Sequence, residues 1–157
     1  MFRTLDENAQ AMTTKPWIGV DVGTVRVGVA VAREGGLAVP HGTFDASEAV
    51  ERLVDLLVEL DTPNVVVGWP LELSGREGLA ARRVAAFVEG LERAAVAREH
   101  AVNVNLRDER LTTGLAEALL DDAGVHGRKR KGVVDQVAAT QILQAFLDES
   151  DGRGTQD

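Results

Sequence analysis

The sequence predicts an α/β fold: one five-stranded mixed sheet with flanking helices, in the order βββαβαβαα. Three observations predict it. From Trp17 to Val31, Ile18, Val20 and Val22 alternate with Gly19, Asp21 and Gly23, and the alternation resumes at Val25, Val27, Val29 and Val31. Period two with a Gly-Thr break reads as two strands joined as a hairpin. Val65-Val66-Val67-Gly68 is a short continuous apolar run of the kind buried on both faces in a parallel sheet. Val102, Val104 and Leu106 alternate with Asn103 and Asn105. Strands four and five each follow a helix, so right-handed crossovers lay them parallel to the first strand.

The elements follow in order. Residues 1–15 are polar and aperiodic and read as a disordered arm. Arg33-Glu34-Gly35-Gly36 is a turn, and Leu37 to Phe44 is a third strand that Pro40 marks as an edge. Asp45 or Ser47 caps a helix to about Leu60, with Val50, Leu53, Val54, Leu57 and Leu60 inward. After the fourth strand a loop from Trp69 to Gly75 leads to a helix from about Glu77 to Glu99, with Leu79, Val84, Phe87, Val88 and Leu91 inward. After the fifth strand a helix covers Leu115 to Asp122 with Gly124 as its cap. A basic loop, Arg128-Lys129-Arg130-Lys131, then precedes a last helix from about Val133 to Leu147. Residues 16–149 thus form one domain, and 150–157 a polar, flexible tail.

Composition bounds the chemistry. Hydrophobic residues make up 45% of 157, enough for a core. Cysteine is absent, and His41, His100 and His126 lack any metal-ligand spacing, so a metal would need carboxylates. No stretch suits a membrane span or a signal peptide, and a cytoplasmic protein is expected. The net charge of −8 weighs against a polyanionic partner, but the basic run, Arg82-Arg83 and Arg107 with Arg110 are local exceptions.

Three acidic positions stand out. Asp21 ends the first strand among glycines, which leave room for close approach. Asp108 and Glu109 lie at the C-terminal end of strand five, where open α/β sheets collect ligands. Asp135 heads an inward helical stripe with Ala138, Ala139, Ile142 and Phe146. Buried carboxylates need a cation or an arginine, and Mg²⁺ or Mn²⁺ accepts such oxygens. Each residue also has a simpler reading. Asp21 can cap the Gly-Thr turn, Asp108 or Glu109 can pair with Arg107 or Arg110, and Asp135 can favour a helix dipole.

Asp21-Val22-Gly23-Thr24-Val25-Arg26-Val27-Gly28-Val29-Ala30 resembles the opening motif of the YqgF/RuvX family, in the RNase H-like superfamily and related to the RuvC resolvase. The resemblance continues through Val66 to Leu71, Asp108 to Thr113, Arg128 to Asp135 and Ala138 to Leu143. Actin-like kinases share the first motif alone; the ordered set is specific. Trp69, where the family usually has a smaller apolar residue, and Gly114, where a bulkier one is expected, depart from it. The resemblance implies an RNase H-like sheet and a divalent-metal-dependent nuclease acting on 5′-end maturation of pre-16S rRNA, with DNA as a further substrate. Its acidic set falls on Asp21, Glu109 and Asp135. Asp21 would bridge two Mg²⁺ or Mn²⁺ ions, which Glu109 and Asp135 complete. Asp108 would support from behind. Strand alternation from Val102, Val104 and Leu106 offers Asp108 as the ligand instead of Glu109. Arg26, Arg110, Thr112, Thr113 and Arg128, Lys129, Arg130 and Lys131 are candidates for the nucleic-acid backbone.

Other functions are a Holliday junction resolvase acting as a dimer, a non-catalytic ribosome-assembly module that binds nucleic acid, and an actin-like phosphotransferase, for which the chain supplies one domain where two are needed. RNA and DNA, and monomer and homodimer, are equally compatible with the sequence.

Overall fold

The computed structural model describes residues 15–33, 36–70, 76–108 and 127–154. Its strands are β1 (Trp17–Val22), β2 (Arg26–Ala32), β3 (Ala38–Asp45), β4 (Asn64–Trp69) and β5 (Asn103–Asp108), and its helices α1 (Ala49–Leu60), α2 (Arg76–Ala97) and α3 (Gly127–Gly154). The sheet order is β3-β2-β1-β4-β5, with β1 at the centre. The first three strands pair antiparallel, and β4 and β5 lie parallel to β1. The register of β2 against β3 shifts by one residue beside His41, next to Pro40 on the edge strand. Such a bulge is where an edge tolerates proline.

The alternation in β1 and β2 separates two unlike faces. Ile18, Val20, Val22, Val27, Val29 and Val31 put branched bulk on one face, where they pack with Val65 and Val67 against α1 and α2. The other face of these strands carries Trp17, Gly19, Asp21, Gly28, Ala30 and Ala32. Apart from Trp17 these side chains are short, and α3 lies on them. Ala139, Ile142, Leu143 and Leu147 bury there with Trp17 and Val66. Each large aliphatic side chain so buried contributes about 1.5–3 kcal/mol. Trp17 closes the far end of this layer against Phe146, ring centroids 4.8 Å apart.

Several elements differ from expectation. α1 begins at Ala49 behind Glu48, with no side-chain cap from Asp45 or Ser47. Leu79 is 61% exposed. The stripe of α2 that meets α1 and the sheet runs through Ala81, Val84, Phe87, Leu91 and Ala95, and at about 100° per residue Leu79 lies off it. α3 starts at Gly127, so the basic run is helix and not loop, and it continues to Gly154, beyond Leu147. Arg and Lys are good helix formers, and Gly132 in the interior costs about 1 kcal/mol without ending the helix. The helix expected over Leu115–Asp122 and all of the arm 1–15 except Lys15 lie outside the described residues. Among the described residues no helix is long and apolar enough to cross a membrane.

Candidate active site

The site is built by the same alternation that divides the sheet. Asp21, being odd in β1, falls on the α3 face, and Gly28 stands directly opposite it on β2. α3 descends onto that glycine. A Cβ on Gly28 would lie 2.0 Å from the carbonyl oxygen of Asp135 and 2.8 Å from its Cβ. One helical turn and more away the same happens at Gly19, where a Cβ would lie 2.6 Å from Leu143 Cβ and 2.8 Å from Ala139 O. Opposed residues hold their Cβ positions about 4.5–5.5 Å apart, so the Asp21 and Asp135 Cβ atoms are no more than about 8 Å apart. Two carboxylates on such a frame can share a cation.

Their electrostatics agree. Burial, and then the charge of Asp21, push the Asp135 carboxyl up to about 6, and Arg26 only partly offsets this. The Arg26 Nε lies 3.7 Å from Asp135 Oδ2. That is an ion pair beyond hydrogen-bond reach, and this Nε is buried with no hydrogen-bond partner among the described residues. The hairpin turn that delivers Arg26 is closed by its backbone, Gly23 N–H donating to Arg26 O at 3.0 Å. Asp135 sits two turns inside α3, so it is not the helix-end charge that a start near Val133 implied.

Sequence reasoning missed two glutamines. Gln136 Nε2 donates to Thr43 Oγ1 at 3.0 Å, tying the turn that carries Asp135 to β3. Gln144 accepts from Ala38 N–H at 2.9 Å and donates to Gly36 O at 3.0 Å, tying the next part of the helix to the start of the same strand. Both flank the buried stripe, and nothing in their sequence setting separates them from solvated polar residues.

β5 settles which face its residues present. Arg107 stands opposite Gly68 and pairs with Glu149 of α3. Asp108 stands opposite Trp69, which packs against the α1–α2 core. The even positions of β5, Val104, Leu106 and Asp108, therefore face away from α3. Alternation from Val104 and Leu106 thus leads Asp108 away from Asp21; its error was to take the apolar face of β5 for the site's face. Glu109, Arg110, Thr112 and Thr113 lie outside the described residues. Arg128, Lys129, Arg130 and Lys131 fall in the first turns of α3.

A hard divalent cation fits what is present. The donors are carboxylate oxygens, and Asp135 is short of compensating positive charge. Among the described residues no group of three or more metal-binding side chains occurs. Asp21 and Asp135 would thus supply only part of a shell, which Mg²⁺ commonly completes with waters and substrate oxygens.

A family model described as RuvX: Holliday junction resolvase matches residues 15–149. A protein of Mycobacterium sp. (strain KMS) is 43% identical over 137 residues, covering 84% of this chain and 79% of that one. One from Salinibacter ruber is 44% identical over 136 residues, covering 85% and 92%. Both are named as pre-16S rRNA nucleases. Among solved structures, Thermus thermophilus RuvC in complex with a Holliday junction substrate aligns with a TM-score of 0.56 at 18% identity, over 88% of this chain and 96% of that one. That likeness is one of fold.

Proposed function

This chain belongs to the RuvX family, and on that premise we propose that it is a divalent-metal-dependent nuclease that hydrolyses phosphodiester bonds in the 5′-end maturation of pre-16S rRNA. The five-stranded mixed sheet with its three described helices is the RNase H-like fold shared with RuvC. The observation that carries the chemistry is the meeting of Asp21 and Asp135 over Gly28. The names of the relatives support the choice of substrate.

Asp21 and Asp135 would hold Mg²⁺ or Mn²⁺, with Asp21 central because β1 is the central strand and its opposite neighbour has no side chain. We assign Glu109 as their third partner. It follows Asp108 in the chain, and odd positions of β5 such as Arg107 lie on the α3 face. When bound, the metal supplies an activated water and neutralises the leaving oxygen. The chain's own residues do the positioning. Arg26 brings a partly exposed guanidinium beside Asp135, and such a cationic fork suits a phosphate oxygen. Arg110, Thr112 and Thr113 remain candidates for the same strand of nucleic acid, and the basic turns of α3 add sequence-independent attraction.

A second reading, resolution of four-way DNA junctions, is favoured by the description of the family model. It requires two active sites, hence a dimer.

The test is cleavage by purified protein with Mg²⁺ or Mn²⁺ of RNA carrying the 5′ extension of 16S rRNA, matched single-stranded DNA and a four-way junction. Asp21→Asn should lower cleavage by about 10²-fold or more, as losses of electrostatic stabilisation at such sites do. Wild-type cleavage by Asp21→Asn would sink the carboxylate mechanism. Cleavage of the junction alone would favour the second reading.

A further inference from the structure

We propose that Gly28 is the positioning residue of the carboxylate pair: its missing side chain sets how close Asp135 comes to Asp21. This rests on the metal-dependent reading above and deepens it.

The contact made by Gly28 is with helix backbone. A Cβ there would meet Asp135 O at 2.0 Å, Asp135 C at 2.3 Å and Asp135 Cβ at 2.8 Å. Ordinary contacts between such atoms are well over 3 Å, so α3 would have to retreat by about 1 Å or more at this turn. No rotamer change relieves a clash with a carbonyl and a Cβ. Gly28 also stands opposite Asp21, so the space it leaves open lies between the two acids. Chain neighbours of Asp135 do not set this distance; a residue more than a hundred positions earlier does.

Gln136 holds the same approach from the side. Its hydrogen bond to Thr43 crosses from α3 to β3, one residue after Asp135. Gly28 permits the descent of the helix, and Gln136 keeps it from sliding along the sheet.

Gly19 supplies a matched control. It makes the same kind of helix–sheet contact, under Ala139 and Leu143, at a distance of one to two helical turns from Asp135. Alanine at either glycine should weaken the same interface. Only alanine at position 28 should separate the acids.

The experiment measures Mn²⁺ binding by calorimetry, urea unfolding in EDTA, and cleavage of the RNA above, for wild type, Gly28→Ala, Gly19→Ala and Gln136→Leu. Gly28→Ala should bind Mn²⁺ about tenfold or more weakly and lose about 10²-fold in cleavage, the scale of a 1 Å misplacement. Gly19→Ala should lose stability in EDTA to a similar degree and keep Mn²⁺ affinity within about threefold, the ordinary scatter of context effects on a site left intact. Gln136→Leu should weaken Mn²⁺ binding several-fold with a smaller loss of stability. Wild-type Mn²⁺ affinity in Gly28→Ala, or an equal loss in Gly19→Ala, overturns the proposal. Should Gly28→Ala not fold, Gln136→Leu decides, and wild-type affinity there overturns it. A wild-type protein that binds no Mn²⁺ would remove the metal reading itself, and this inference with it.

Discussion

Asp135 shows at the scale of one residue how a functional group works against the fold that holds it. Its carboxyl is pushed up to about 6, first by burial and then by the charge of Asp21. The unfolded chain returns it to the ordinary value near 4. Between those values the native state binds more protons than the unfolded one, so this group's contribution to stability falls as pH rises through that window and is flat above it. Asp135→Asn removes the charge at nearly constant shape. In EDTA the variant should match wild type near pH 4 and exceed it at pH 8. The difference should be on the order of 1–2 kcal/mol once solvent screening is discounted. Urea unfolding at the two pH values reads it. A variant less stable than wild type at pH 8 would mean that Arg26, 3.7 Å away, fully satisfies the carboxylate. Cleavage should fall in the same variant, because the group that weakens the metal-free fold is the one assigned to hold the cation.

At the scale of an element, α3 changes what the basic run means. As a loop, Arg128, Lys129, Arg130 and Lys131 would all be free to reach one polyanion. In α3 they are four successive helical positions, and successive positions of a helix turn by about 100°. About two of the four can then serve one backbone at a time. For single-stranded nucleic acid the salt slope is roughly 0.7 per phosphate neutralised. Replacing all four with glutamine should therefore reduce the slope of log K against log salt by about 1.4, where four simultaneous contacts would give about 2.8. Binding of labelled RNA to the Asp21→Asn protein across a salt series measures it without cleavage. An unchanged slope would make these turns a solvated surface. The same length of α3 matters at its other end, where Glu149 reaches Arg107 on β5, with three strands between that pair and the Gln136–Thr43 bond on β3.

At the scale of the whole molecule, much of the fold is legible because alternation is a local signal. The central hairpin, the edge character that Pro40 gives β3, and the parallel placing of β4 and β5 follow from period, length and the crossover rule. The apolar stripe of α3 is legible for the same reason, whereas its start is not, since charge density reads equally as loop or helix. Asp21 and Asp135 stand out in the sequence, and the structure brings them together over Gly28; Glu109 lies outside the described residues. What was not legible is which face each strand turns to α3. Period two gives the two sets of residues in β5, but only pairing with β4 shows that Arg107, and not Asp108, shares a side with Asp21. The glycines around Asp21 did signal open space; that Asp135 fills it depends on helix packing across more than a hundred residues.

That separation in sequence has a thermodynamic consequence for the molecule as a unit. Asp21 comes from the first strand and Asp135 from the last helix, so the proposed cation site would exist only when both ends of the fold are assembled. The unfolded chain offers no preformed site, and cation binding must stabilise the native state by mass action. At a Mn²⁺ concentration a hundredfold above its dissociation constant the gain is about 2.7 kcal/mol, which for a domain of this size raises Tm by roughly 5–10 °C. Protons compete for Asp135, whose carboxyl titrates near 6, so at a fixed Mn²⁺ concentration the shift should be larger at pH 8 than at pH 5.5. Thermal unfolding with EDTA and with Mn²⁺ at both pH values checks this, with Asp21→Asn as the variant in which the shift should shrink. An equal shift in wild type and Asp21→Asn would place the cation elsewhere on this acidic chain. The absence of any shift would show that the two carboxylates, close as they are, do not hold one.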